Sequence, residues 1–294
     1  MGLCDLPVPR AVVAGLAAEL GGDLQRLTDL ALAEPGEDPV TGARDAVRLS
    51  PLARAGLSAL GESDRAAVAR LAVGPLYAAW GGAGGKRPEV AEWQLAALAL
   101  AARDAGIAAD CGAGAIWWLE QDNYAAAAGL ASELVGLIEG ARERLPPLLV
   151  ANAARVIGAA GDGRGADALL AQGVAALERG GGEIDADALR LIDEHARRLF
   201  QRGDLDAALR IRTEEQLPVY ECLGDVHSLL LCRTNIALTL LVRMAQTGRR
   251  EDAPEANRLL CLALAEARRL RLPMEAGQIE SILQQAGMQC PAPP

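Results

Sequence analysis

Polar breaks rich in glycine and proline cut this chain into segments whose apolar residues recur at helical spacing. Near the start, VPRAVVAGLAAEL predicts one amphipathic helix and GDLQRLTDLALAE a second. PGEDPVTGARD is polar and turn-rich and reads as a hairpin tip, followed by the short apolar run AVRLS. Ser50-Pro51 supplies an N-cap and a first-turn proline for a third helix, PLARAGLSAL, and GESDRAAVARLAVGPLYAAW makes a fourth. The break GGAGGKR follows, and Pro88 opens the next helix. Pro146-Pro147 and Pro273 also fall near helix starts, where a missing N–H costs nothing. Gly180-Gly181-Gly182 separates two segments, and the tail CPAPP is frayed. Pro218 lies inside a helix and should kink or end it.

One pattern repeats. Ala154, Gly161-Asp162 and Ala166 stand at offsets of 0, 7 and 12, and so do Ala196, Gly203-Asp204 and Ala208. A weaker copy has Ala115, Asp122 and Ala127, and a longer one runs from Ala237 through QTGRREDAP to Ala256. The small outer residues fall where two antiparallel helices approach most closely. The glycine between them can take the positive φ that ends the first helix. The leading alanines, 115, 154, 196 and 237, are 39, 42 and 41 residues apart. A period near 41 with one helical hairpin per unit predicts an α-solenoid.

Half the residues are hydrophobic but only 3% are aromatic, so the core is expected to be Ala, Leu and Val in closely packed helices. The net charge of −10 disfavours nucleic acid and anionic membrane as partners. The most apolar stretch, Leu229 to Val242, holds Arg233 and Asn235 and is too short to span a bilayer. The N-terminal MGLCDLPVPR lacks the basic start and apolar run of a signal peptide, so a cytoplasmic location is expected. None of the six cysteines forms a CxxC pair, and they are read as small buried hydrophobes in a reducing compartment, without metal.

Catalytic chemistry is not expected. GGAGGKR has Trp80 and Arg87 where a phosphate loop needs Gly and Ser or Thr, so it reads as a hinge. His195 beside Asp193 and Glu194, and His227 near Asp225, have no accompanying nucleophile. No cofactor is implied.

The spacing of small residue, Gly-Asp and Ala resembles the tetratricopeptide repeat, and FQRGDLDAAL looks like that family's inter-helix turn. The family's usual period is 34; here each unit is about seven residues longer, one extra turn on each helix. ALRIRTEEQLPVYECLGD is similar to longer repeats of large bacterial regulatory proteins. The resemblance covers roughly 88 to 287. AVRLSPLARAGLSAL resembles the wing and following helix of the winged-helix module found after the ATPase in STAND-class signalling NTPases, where repeats usually come next.

These resemblances imply an all-α protein with a winged-helix-like domain at 1–80, a glycine-rich hinge at 81–87, a tetratricopeptide-like solenoid at 88–288 and a disordered tail at 289–294. They imply a non-catalytic protein- or peptide-binding scaffold, the sensor or relay part of a bacterial signalling or defence system, associating with an NTPase or effector domain. The alternatives are a winged-helix transcriptional regulator with a peptide-sensing solenoid, and a self-assembling structural scaffold. Against DNA, residues 1–80 hold seven Arg and ten acidic residues, and the second helix carries one Arg against Asp23, Asp29 and Glu34. Ligand contacts in the repeat family lie on the first helix of each hairpin. Carried over, they are Asn152 and Arg155; Arg190, Asp193, Arg197 and Phe200; and Thr234 and Asn235. Arg155, Arg190 and Arg197 could clamp a carboxylate or phosphate, or instead pair with Asp193 and Glu194 on their own helix face.

Overall fold

A computed structural model describes residues 4–51, 53, 61–180 and 184–291. It is mostly helical, 73% helix against 4% strand, as an all-α reading requires. The expected third helix, apart from Pro51 and Ala53, and all but Gly180 of the triple-glycine break lie outside the described residues. The chain divides into two compact units, Met1–Leu169 and Leu170–Pro294. The division falls inside a helix, whereas the sequence suggested one at 81–87.

The first unit opens with a small sheet. β1 (Val8–Pro9) and β2 (Ala33–Gly36) both pair antiparallel with β3 (Ala46–Leu49), in the order β1-β3-β2. Between β1 and β2 run α1 (Arg10–Glu19) and α2 (Leu24–Asp29). The expected second helix is therefore cut short: Ala31 turns to φ 54° and the chain extends into β2. Pro35 keeps the end of the expected helix extended, because Glu34, the residue before it, is driven from helical to extended backbone. Asp38 fixes the β2–β3 loop, accepting from the N–H groups of Val40 at 2.8 Å and Thr41 at 2.9 Å. Its other oxygen accepts from Nε1 of the fully buried Trp80 at 3.2 Å, tying the loop to the end of α3 (Glu62–Ala79).

The residues expected as a hinge form a closed turn. Gly81, Gly82 and Gly84 have positive φ, and a Cβ on Gly85 would lie 2.8 Å from the Gly81 backbone. Arg87 donates across the turn to the Gly82 carbonyl at 2.5 Å, and α3 packs on α4 (Glu89–Ala102). The unit continues through α5 (Ala105–Glu120), α6 (Tyr124–Gly140) and α7 (Pro147–Ala159), and α8 (Gly163–Gly180) carries the boundary. α5 packs on α4 and α6, and also on α7, two helices along.

The second unit holds α9 (Ala186–Gln201), α10 (Leu205–Arg210), a π-helical turn (Ile211–Gln216), α11 (Leu217–Leu223), α12 (Val226–Thr247), α13 (Asp252–Arg269) and α14 (Pro273–Gln285). Pro218 neither ends nor interrupts this run. It sits in the first turn of α11, where its missing N–H is tolerated, and the widened π turn directly precedes it. The turn after α12 is shorter than QTGRREDAP suggested, because α12 extends to Thr247 and α13 already begins at Asp252.

The repeated pattern has a direct physical basis. Ala115 and Ala127, Ala154 and Ala166, Ala196 and Ala208, and Ala237 and Ala256 are all 0% exposed. The Asp or Asn of each short turn caps the helix it opens. Asn123 accepts from the N–H of Ala126 at 3.0 Å, Asp162 from Gly165 at 2.8 Å and Asp204 from Ala207 at 3.3 Å. The residues ahead of Asp162 and Asp204 are Gly161 (φ 107°) and Gly203 (φ 81°), so the left-handed residue ends one helix and the carboxylate starts the next.

Two expectations are corrected. Cys261 and Cys290 are joined by a disulfide, so the six cysteines are not all reduced; Cys4, Cys111 and Cys232 are buried and free, and Cys222 is exposed. α12 is also longer than the stretch considered for a membrane span and passes that test by length and composition. Its Ile236, Ala237, Thr239 and Leu240 nevertheless belong to the buried face of the second unit, and α12 packs on α13.

Replacing a hairpin alanine with leucine forces the helices apart. We expect Ala127→Leu and Ala196→Leu each to lose about 1–3 kcal/mol in urea unfolding, while Ala125→Leu, at an exposed position of the same α6, stays within about 0.5 kcal/mol of the parent.

Candidate recognition surfaces

The eight residues expected to meet a partner divide between the units, and most are engaged internally. On α7, Asn152 Nδ2 donates to the Ala113 carbonyl of α5 at 3.0 Å, and its Oδ1 accepts from Arg155 Nη2 at 3.2 Å. Arg155 forms an ion pair with the largely buried Glu120 at the end of α5. These two side chains lock α7 to α5 and are not a free clamp.

In the second unit, Arg197 pairs with Glu194 of its own helix through two hydrogen bonds of 2.9 and 2.5 Å. That is the helix-face pairing left open by the sequence. Thr234 Oγ1 donates back to the Leu230 carbonyl at 2.9 Å. Asp193, Phe200 and Asn235 gather instead around a residue the sequence did not single out, Arg212 of the π turn. Arg212 is 4% exposed; its Nη1 donates to the Asn235 carbonyl at 3.1 Å and to Thr239 Oγ1 at 2.5 Å, and its guanidinium lies 5.6 Å from the Phe200 ring centre. Asp193 accepts from Gln216 Nε2 at 3.3 Å and supplies opposing charge. Burial lowers the Arg212 pKa, and Asp193 and Cys232 act against it. Arg190 alone of the eight is exposed without a hydrogen bond or ion pair among the described residues.

A second polar cluster lies in the first unit. Arg87, its side chain 1% exposed, binds Asp110 at 2.5 Å, stacks 5.1 Å from the Tyr77 ring centre and lies 4.0 Å from Glu92. Tyr77 donates to the same Asp110 oxygen at 2.8 Å. Burial pushes the Tyr77 hydroxyl to about 12 and the Cys111 thiol to about 12, leaving both protonated at neutral pH. Glu92 is raised to about 7, first by burial; Arg87 opposes this, and Asp110 and Glu89 add to it. Burial wins because the Arg87 charge is committed to Asp110 at the shorter distance. Glu92 also fills the space beside Gly114, where even a methyl group would overlap its carboxylate.

The free surface lies elsewhere. Trp117 and Trp118, at the end of α5, are 43% and 40% exposed, and Tyr124, across the turn, is 51% exposed. Three of the chain's eight aromatic residues are thus 40–51% exposed within eight positions. In the sequence they fall in IWWLEQDNY, within the weaker copy of the repeat that runs from Ala115 to Ala127. A separate open groove of about 870 Å³ is lined by Leu100, Leu130 and Leu137 with Arg65, Arg103 and Glu133. Charges of both signs line it, so it favours neither acidic nor basic ligands.

No protein-family model matches the chain, and no curated protein is significantly similar to it.

The raised carboxyl has a pH consequence. Because Glu92 sits at about 7 in the fold against an ordinary 4.5, the fold favours its neutral form. Its contribution is full below pH 4.5 and is lost as pH rises through 7. Glu92→Gln keeps the side chain neutral. We expect its Tm to match the parent at pH 4.5 and to exceed it increasingly up to pH 8 in calorimetric scans; parallel curves would show that Glu92 ionises without cost.

Proposed function

We propose that this chain is a non-catalytic scaffold of tetratricopeptide-like hairpins that binds a protein or peptide, serving as the sensor or relay part of a bacterial signalling or defence system. The observation that carries the reading is the recurrence of one hairpin design, each copy carrying a pair of fully buried alanines, at the same spacing in three copies and a longer one in the fourth. Repetition of one packing unit builds extended surface, and extended surface suits recognition. The packing of α5 on α7 supports stacking of successive hairpins.

A winged-helix role for the N-terminal part is supported by its order of β1, two short helices, and the β2–β3 pair. Its α2 favours relay over DNA reading. Six residues long, it carries Arg26 as its one cation, with Asp23 and Asp29 at its ends.

The contact surface in this reading is Trp117, Trp118 and Tyr124. Large aromatics with a polar end make rigid anchors for a partner and commonly carry most of an interface's energy. Gln121, Asp122 and Asn123, all exposed, lie between them in the chain. Together with the net charge of −10, this suits a segment that offers apolar side chains flanked by Lys or Arg. Arg155 and Arg197 help hold the fold in this scheme, and Arg190 is the remaining candidate from the helix faces.

The test is affinity capture from a bacterial host with the intact chain, beside Trp117→Ala/Trp118→Ala and, as a control at an exposed site of the second unit, Leu223→Ala. We expect the double variant to lose the enriched partner, with affinity falling by roughly 30-fold or more for a hot spot of about 2 kcal/mol. The control should keep it. Equal capture by all three overturns the aromatic surface.

A further inference from the structure

After α14, Gly287 turns at φ 64° and the chain comes back against α13. It is held there in three ways. Met288 packs on the hydrophobic cluster built by α12, α13 and α14. Asn257 Nδ2 of α13 donates to the Gln289 carbonyl at 3.2 Å. Cys290 is bonded to Cys261 of α13, with the Cα atoms 5.4 Å apart. Cys261, Cys290 and Pro291 line a groove of about 570 Å³ together with Pro254, Leu262 and Arg268.

The three buried free cysteines do not share this chemistry, and Cys222, though exposed, is not bonded. Burial pushes the Cys111 and Cys232 thiols to about 12 and raises that of Cys4, which keeps them protonated and unreactive. Both cysteines of the bonded pair are only partly buried, so a thiol reagent can reach them from solvent. Apart from the bond, the segment is held on α13 by one exposed hydrogen bond and the partly buried Met288 and Cys290, while the N–H groups of Ala286, Gly287 and Met288 are bonded to the last turn of α14. That is a weak seat once the cross-link is gone.

We propose that Cys261–Cys290 is a redox-operated latch that fastens residues 286–291 at the α13 groove, and that a dithiol reductant opens it. One thiolate of the reductant attacks a sulfur of the pair, the protein S–S bond breaks, and the departing cysteine thiolate takes up a proton. The second thiol of the reductant then displaces the other cysteine and closes the reductant's own disulfide. Two electrons and two protons pass to the protein. The C-terminal segment forms one wall of the groove through Cys290 and Pro291, and reduction releases that wall. Such a latch also reconciles a disulfide with the expected cytoplasmic location, where disulfides that do form are usually transient or redox-sensing. The inference stands apart from the recognition surface at Trp117 and Trp118.

The test uses the full chain, prepared without reductant, with its free thiols alkylated in the native state and then digested. Mass spectrometry should find the peptide holding Cys261 linked to the one holding Cys290. Hydrogen exchange is then followed with and without dithiothreitol. Exchange of the amides at 286–290 should rise at least tenfold on reduction and return after treatment with oxidised glutathione, with α12 and α5 unchanged. Cys290→Ser should exchange fast in both conditions. Three results overturn the latch: a pair that stays unlinked even with oxidised glutathione, unchanged exchange at 286–290 on reduction, or accelerated exchange throughout the second unit, which would make the bond a staple of the fold.

Discussion

The pair of fully buried alanines in each hairpin is the constraint on which the repeated part of the structure depends. Helices that meet through Cβ atoms alone come closer than helices separated by leucines, and they do so without losing side-chain entropy. The turn must then reverse the chain over a short distance. A left-handed glycine and a capping carboxylate achieve this at Gly161-Asp162 and Gly203-Asp204. Neither part suffices alone. A bulky residue at Ala196 would separate the helices that Asp204 joins, and without the turn Ala196 and Ala208 would not meet.

Small residues at the closest contacts leave less apolar area to bury per residue, and polar pairs, buried to different degrees, stand between neighbouring elements. Arg155 with Glu120 joins α7 to α5, Arg212 with Thr239 joins the π turn to α12, and Arg243 bridges Asp252 of α13 and Asp206 of α10. Each fixes a register that alanine contacts alone would leave free to slide. The cost is desolvation of a guanidinium, visible in the lowered pKa of Arg212 and in its Nε, which has no hydrogen-bond partner among the described residues. Removing Thr239 or Glu120 would leave a buried charge poorly matched, so these pairs tie recognition of one hairpin by the next to the integrity of both.

This explains which features were legible in the sequence. The alanine positions and the Gly-Asp turns follow from local sterics, which recur wherever the same geometry recurs. The role of the arginines does not. A side chain on the first helix of a hairpin can face a ligand or the neighbouring helix, and the choice depends on where Glu120 or Thr239 lies in space. The family resemblance marked Asp193, Phe200 and Asn235, yet the residue they surround, Arg212, lies on the second helix and was passed over. Pro218 misled for a related reason: its effect was judged on an ideal helix, whereas the chain widens into a π turn just ahead of it. β1 is two residues long and left no periodic trace, and the Cys261–Cys290 pair is separated by 29 positions that α14 folds back on itself.

What packing does not use is therefore the more informative part of the surface. Trp117 and Trp118 follow Ala115 and Ile116, which are fully buried, and precede Glu120, which is paired to Arg155. The helix turns about 100° per residue, so the buried stripe of α5 is complete without either tryptophan. A chain that builds its core almost without aromatics exposes two adjacent ones and a tyrosine at the turn that follows. Solvating that area weakens solubility, and the hairpin's closure, set by Ala115 and Ala127, gains nothing from it. Packing covers more than half of each tryptophan and about half of Tyr124, and the area left over lies outside the buried stripe.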